Sequence, residues 1–132
     1  RYITLFEHEF VRNFIHIQDV SSAFEFMIDN YDKYQGQIFN VGLSDTNINK
    51  KELVERIQKQ ISNTSVTYSD YYEDPDKRNY IVSNKKIELT GWKPFYSLDD
   101  GIKELIKAYK LIVPQESSRY RNAFPLTYGV GT

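Results

Sequence analysis

Few side chains in this sequence carry the chemistry of a self-contained active site. There are two histidines, His8 and His16, and no cysteine, which leaves neither a zinc-ligand spacing nor a disulfide framework. A proton-relay pair of the Tyr-x-x-x-Lys type fails at its last position, where Tyr80 meets Asn84 and Tyr109 meets Val113. The glycine pair with a dinucleotide look, Gly129 and Gly131, has no helix after it, so it does not make the turn that delivers backbone N–H groups to a pyrophosphate. Taken singly, the other polar residues have plain readings. Arg12 flanks a strand as a surface arginine, and Arg78 stands in a loop beside Asp74 and Asp76, where an exposed ion pair contributes about 0.2–1 kcal/mol. His16 alternates with apolar neighbours as a hydrogen-bonded core histidine. Asp19 precedes a helical run as an N-cap worth about 1 kcal/mol. Gly42 fits a tight turn after a buried strand, and Trp92 and Pro94 read as packing. Tyr71 and Tyr72 form an aromatic loop edge. On chemistry alone there is no complete active site.

The elements that must position these residues alternate in period. Arg1 to Phe6 and Asn13 to Ile17 are rich in β-branched and aromatic residues and read as short strands. From Asp19, Val20, Ala23, Phe24, Met27, Ile28 and Tyr31 recur at helical spacing and define the expected core face of a first helix. Residues 37–41, with Ile38, Phe39 and Val41 closed by Gly42, read as a strand buried on both faces. Asn49 opens the clearest helix, because Glu52 three residues on completes a capping box and Ile48 can meet Leu53 as a staple. Ser65 to Ser69 alternates like a strand. A short helix follows from Ser83 to Gly91, and Ser97 caps a last helix with the apolar stripe Leu98, Ile102, Leu105, Ile106, Tyr109 and Ile112. Helices between strands are an α/β signature. Residues 113–132 show no period.

Composition narrows the function classes. The 132 residues carry 17 Lys and Arg against 18 Asp and Glu, with 40% hydrophobic content, which is enough for one globular domain. Balanced charge argues against nucleic acid, whose binding by counterion release needs clustered cations. No apolar run approaches a membrane span and no signal-peptide order opens the chain, so no membrane association and a cytoplasmic location are expected. Residue 1 is Arg, and the text opens inside a strand-like run. One or two βα units also cannot cover a parallel sheet. The chain is therefore expected to be a piece of a longer protein.

Four segments together resemble a known pattern: Arg12 to Val20 (RNFIHIQDV), Phe39 to Gly42 (FNVG), Asp76 to Tyr80 (DKRNY), and Gly91 to Pro94 (GWKP) with Ser97 to Ile102 (SLDDGI). From about Ile3 to Ile112 they resemble the carboxyl-terminal portion of an extended short-chain dehydrogenase/reductase of the NAD-dependent nucleotide-sugar epimerase/dehydratase kind. The resemblance implies a Rossmann-type α/β fold whose absent amino-terminal half carries the NAD or NADP site and the catalytic Tyr and Lys. Residues 1–112 would be mostly the small nucleotide-sugar-binding domain, including one parallel Rossmann strand at about 37–41. It also implies that Arg12 and Arg78 clamp the diphosphate of a nucleotide-diphosphate sugar, that Thr4, Leu5 and Phe6 lie along the nucleobase, and that the full-length protein is a homodimer. Two departures stand out. Glu7-His8-Glu9 replaces the family's Gly-x-Gly turn, placing two acids near a diphosphate that they would repel, and Arg12-Asn13 replaces Arg-Asp. A different class of function is a non-catalytic nucleotide-binding or interaction module, and a third is a scaffold with incidental arginines. The upstream sequence would discriminate them, since a Gly-rich βα start and a Tyr-x-x-x-Lys there belong only to the enzyme.

Overall fold

A computed structural model describes residues 2–71 and 77–111. The chain is α/β. Among the described residues two small two-stranded sheets alternate with helices. Strand β1 (Tyr2–Leu5) pairs in parallel with β4 (Ser65–Tyr68), and β2 (Val11–Asn13) pairs antiparallel with β3 (Asn47–Asn49), setting Arg12 opposite Ile48. Helix α1 (Ile17–Asp29) and the single turn α2 (Tyr31–Tyr34) follow β2, and α3 (Lys50–Gln60) continues directly from β3. The turn α4 (Lys85–Glu88) and α5 (Leu98–Leu111) complete the described chain.

Helix α3 begins as its sequence requires: the Asn49 side chain accepts from the Glu52 amide at 2.9 Å, and Glu52 accepts from the Asn49 amide at 2.9 Å. Helix α5 uses the same reciprocal device with Asp at the third position. Ser97 Oγ accepts the Asp100 amide at 3.2 Å, and Asp100 accepts from the Ser97 amide and hydroxyl at 3.2 and 2.6 Å. These bonds hold the Asp100 carboxyl below its usual pKa of 3.8, the Ser97 hydroxyl most of all, with help from Lys103 and against a small cost of desolvation. A pKa lower in the folded than in the unfolded state means that the unfolded state binds more protons. The cap's contribution is therefore complete above pH 3.8 and is lost as pH falls through the folded pKa. Asp100→Asn is expected to flatten the acid limb of the α5 unfolding titration followed by amide exchange, and an unchanged limb would refute this linkage.

The core forms where α1 meets the segment around α4. Ala23, Ile87 and Trp92 are buried together, with Ile15, Phe26, Met27, Phe39 and Val41 packed around them, and the Trp92 indole N–H donates to Ser22 Oγ at 3.2 Å. Burying a side chain such as Ile87 contributes about 1.5–3 kcal/mol.

The structure corrects several expectations. The second strand is Val11–Asn13 rather than 13–17, because only there does β3 offer a ladder partner. Residues 37–41 are not a strand: both sheets among the described residues are already paired two by two, and an extended segment without a partner has no ladder. Ile38 is 85% exposed, while side chains satisfy nearby carbonyls, Lys86 at Ile38 (2.8 Å) and Asn40 at Ser83 (3.3 Å). Phe24, Ile28 and Tyr31 lie outside the core on exposed positions of α1 and α2, since α1 turns Ala23, Phe26 and Met27 toward Trp92 instead.

Asp19 is not the N-cap. His16 caps α1, its Nδ1 accepting the Gln18 amide at 3.2 Å, while its Nε2 meets Glu104 at 2.9 Å and its ring stacks on Tyr96 at 4.2 Å. Since Nδ1 accepts, the Nε2–H donates to Glu104, tying α1 to α5. Asp19 instead sits buried in the first turn of α1, where its two oxygens accept the Phe95 and Tyr96 amides at 2.8 and 3.0 Å. Among the described residues of the expected α5 stripe only Ile102 is buried, and Ile112 lies outside them; Leu105, Ile106 and Tyr109 face a shallow apolar groove shared with Ile57 of α3 and Ile61 at its end. The tail at 113–132 lies outside the described residues.

Candidate functional site

The site must be built from segments distant in sequence. Strand β2 presents Arg12 half-buried, and residues 78–80 run alongside it because the Asn79 side chain accepts the Val11 amide at 3.0 Å. The Arg12 Nη1 donates to its neighbour's carbonyl, Val11, at 2.9 Å and also to the Arg78 carbonyl. Its guanidinium carbon stands 5.2 Å from the centre of the Tyr80 ring and 6.0 Å from that of Phe10. The Arg12 side chain thus reaches the backbone of Arg78, 66 positions away in sequence, and Arg78 is exposed. Planar guanidinium forks on neighbouring strands of chain are suited to gripping anionic oxygens by paired, charge-assisted hydrogen bonds.

The acidic side chains of the turn between β1 and β2 find partners within the chain. Glu7 lies 4.0 Å from Lys77 and Glu9 lies 3.0 Å from His8, whose ring also packs 4.6 Å from that of Tyr68. Glu7 adopts φ 42°, a left-handed conformation costly for a residue with a Cβ, so a tight turn is kept without the glycines that usually make it. The Glu7–Lys77 pair further ties this turn to the loop that carries Arg78.

Of the three strand residues singled out with the arginines, Thr4 is exposed, Phe6 is half-buried, and the Leu5 side chain is buried at 8% exposure. The Phe6 carbonyl accepts from Lys50 at 3.1 Å and the Leu5 carbonyl from the Ser69 amide at 3.0 Å.

Sequence reasoning missed what fixes Asn13, the residue after Arg12. Its side-chain amide donates to the Leu43 carbonyl at 2.6 Å, and its oxygen faces the buried Asn84 at 3.4 Å. Gly42 closes on this pair: a Cβ there would stand 1.7 Å from the Asn13 oxygen. The glycine is required by close approach, not by a positive φ as a tight turn would suggest. Polar pairs such as these leave no periodicity, and only the short Arg-Asn and Asn-x-Gly strings mark them. The apolar grooves flanking α5 are lined by neither arginine, so these grooves and the two arginines are separate features of the surface.

No protein-family model matches the chain. The sequence is 28% identical over 129 residues to a UDP-D-apiose/UDP-D-xylose synthase of Oryza sativa subsp. japonica, covering 82% of this chain and 32% of the relative. It is 33% identical over 105 residues to a dTDP-4-dehydro-6-deoxyglucose reductase of Escherichia coli, covering 75% of this chain and 31% of the relative. A crystal structure of a GDP-D-glycero-L-gluco-heptose synthase from Campylobacter jejuni, solved in the presence of NADPH, shares the fold with a TM-score of 0.68 at 18% identity, over 83% of this chain and 33% of that one. The chain spans about a third of the length of the curated relatives it matches.

Proposed function

We propose, from the similarity of this chain to nucleotide-sugar synthases and reductases of the extended short-chain dehydrogenase/reductase kind, that residues 1–112 are the nucleotide-sugar-binding part of an NAD(P)-dependent epimerase, dehydratase or reductase. The observation that carries this reading is the contact of the Arg12 guanidinium with the Arg78 backbone, which supports a place there for the two phosphates of a nucleoside diphosphate. The nucleobase would lie along Thr4 to Phe6, touching Thr4 and Phe6 through their side chains and Leu5 through its backbone, since the Leu5 side chain is turned into the protein.

The nicotinamide cofactor, present as NADPH or NADP in the solved structures of similar fold, would supply hydride transfer at the sugar. Among the described residues no strand passes through a glycine-rich turn into a helix, the arrangement that receives a dinucleotide pyrophosphate. We therefore assign the cofactor and the catalytic Tyr and Lys to a part of the protein outside these residues, where the homodimer interface would also lie. What this chain contributes is positioning. Diphosphate binding is remote from the reacting carbon, and its energy orients the sugar for hydride transfer and lowers the barrier to it.

The reading is tested by following nicotinamide oxidation or reduction with UDP-, GDP- and dTDP-sugars in the longer protein carrying these residues, and in residues 1–132 alone. Turnover is expected only in the longer protein, inhibited competitively by the matching nucleoside diphosphate. The isolated piece, with Phe24, Ile28 and Ile38 exposed, is expected to be poorly soluble or partly molten. Turnover by residues 1–132, or a nucleoside diphosphate that fails to compete, would refute the assignment.

A further inference from the structure

Arg12 carries the proposed diphosphate contact, yet its own side chain is long and has many rotamers, so something must hold its guanidinium in one place. Phe10, two residues before it, is at the limit of cation–π reach at 6.0 Å, whereas Tyr80 is well within it at 5.2 Å. Tyr80 arrives there through its own short stretch of chain: Asn79 accepts the Val11 amide at 3.0 Å, and the Arg78 carbonyl accepts from Arg12. Three successive residues of one loop therefore contact β2 at its backbone, at the guanidinium edge and at the guanidinium face.

We propose that Tyr80 is a positioning residue for Arg12, its ring face fixing the guanidinium so that the second arginine-bearing loop also sets the aim of the first arginine. The ring does this by its quadrupole, which attracts the cation where an aliphatic side chain of similar bulk does not. Loop 77–80 then acts on the anion twice, once through Arg78 and once by holding Arg12. The proposal rests on the reading of Arg12 as a diphosphate ligand, and the experiment separates the two.

In the longer protein, the affinity for whichever of UDP, GDP and dTDP binds tightest is measured by calorimetry for Tyr80→Leu, Tyr80→Phe, Tyr80→Trp, Arg12→Ala and the Arg12→Ala/Tyr80→Leu double variant. NADPH affinity is measured alongside as a check that each variant is folded. Tyr80 is 40% exposed, so Leu is expected to be accommodated, and Tyr80→Met serves as a second aliphatic variant. The expected result is a loss of about two- to fivefold for Leu and Met, the worth of an exposed cation–π contact. Phe and Trp should bind as the unsubstituted protein does, and the double variant should bind no more weakly than Arg12→Ala. Full affinity in Leu and Met would overturn the proposal, as would a loss in Phe equal to that in Leu, which would assign the effect to the hydroxyl. Losses that multiply in the double variant would make Tyr80 independent of Arg12 and overturn it as well. Unchanged affinity in Arg12→Ala alone would instead remove the diphosphate role of Arg12, and the present proposal with it.

Discussion

Replacing either Arg12 or Arg78 with Ala is expected to weaken nucleoside diphosphate binding by about 1.5–3 kcal/mol, the usual worth of hydrogen bonds to a charged group. That is a loss of roughly ten- to hundredfold in affinity. Lys at either position should restore only part, because an ammonium is a point charge that cannot reproduce the two-pronged geometry of a guanidinium. The two sites differ in what else is lost. Arg12 also ties β2 to the 78–80 loop through the Arg78 carbonyl, so Arg12→Ala should additionally loosen that loop, raising amide exchange around residues 78–80. Affinity for the nicotinamide cofactor should barely move in any of these variants, since that site is assigned elsewhere. Calorimetry with the nucleoside diphosphate and with NADPH measures both. Full diphosphate affinity in both Ala variants would remove the central residue assignment, and equal losses for the two ligands would indicate unfolding.

The largest effect on stability is expected at Asp19. Its carboxylate is 1% exposed and accepts two backbone amides, Phe95 at 2.8 Å and Tyr96 at 3.0 Å, across 76 and 77 positions of sequence. Asp19→Ala leaves both N–H groups without their acceptor and opens space beneath α1, at a cost of about 2–4 kcal/mol. Asp19→Asn keeps one oxygen and a similar shape, so its loss should be roughly half as large. The effect should be seen first in the connection between Trp92 and α5, as faster hydrogen exchange at the Phe95 and Tyr96 amides, and then in the urea midpoint. An Asp19→Ala protein within about 0.5 kcal/mol of the parent, the scatter of neutral surface changes, would show that the carboxylate is dispensable. The same carboxylate stands in the first turn of α1, where the helix dipole favours it, so one side chain serves both a helix start and a long-range clamp.

Both predictions depend on residues whose types were apparent from sequence and whose partners were not. The caps of α3 and α5 were legible because the reciprocal bonds of Asn49 with Glu52, and of Ser97 with Asp100, close within three residues. The strands β1 and β4 were legible from their β-branched alternation, and α1 from its helical period. The candidate site rests on a resemblance carried by several short segments in order, since Arg12 and Arg78 taken singly read as ordinary surface arginines.

What the sequence determined by itself was the α/β alternation, the helix starts at Asn49 and Ser97, and a family resemblance that singles out Arg12 and Arg78. The tertiary structure decided that Asp19 clamps a distant loop while His16 caps the helix. It also decided that Gly42 makes room for Asn13, that Ile38 stands exposed with no strand beside it among the described residues, and that Tyr80 lies against the Arg12 guanidinium. The dividing line is contact range. A helix period or a capping box is satisfied by neighbours a few residues away, so residue type and spacing suffice to define it. A buried carboxylate, a strand or a cation over a ring is completed only by a partner that the fold brings from elsewhere, and no local pattern records which partner arrives.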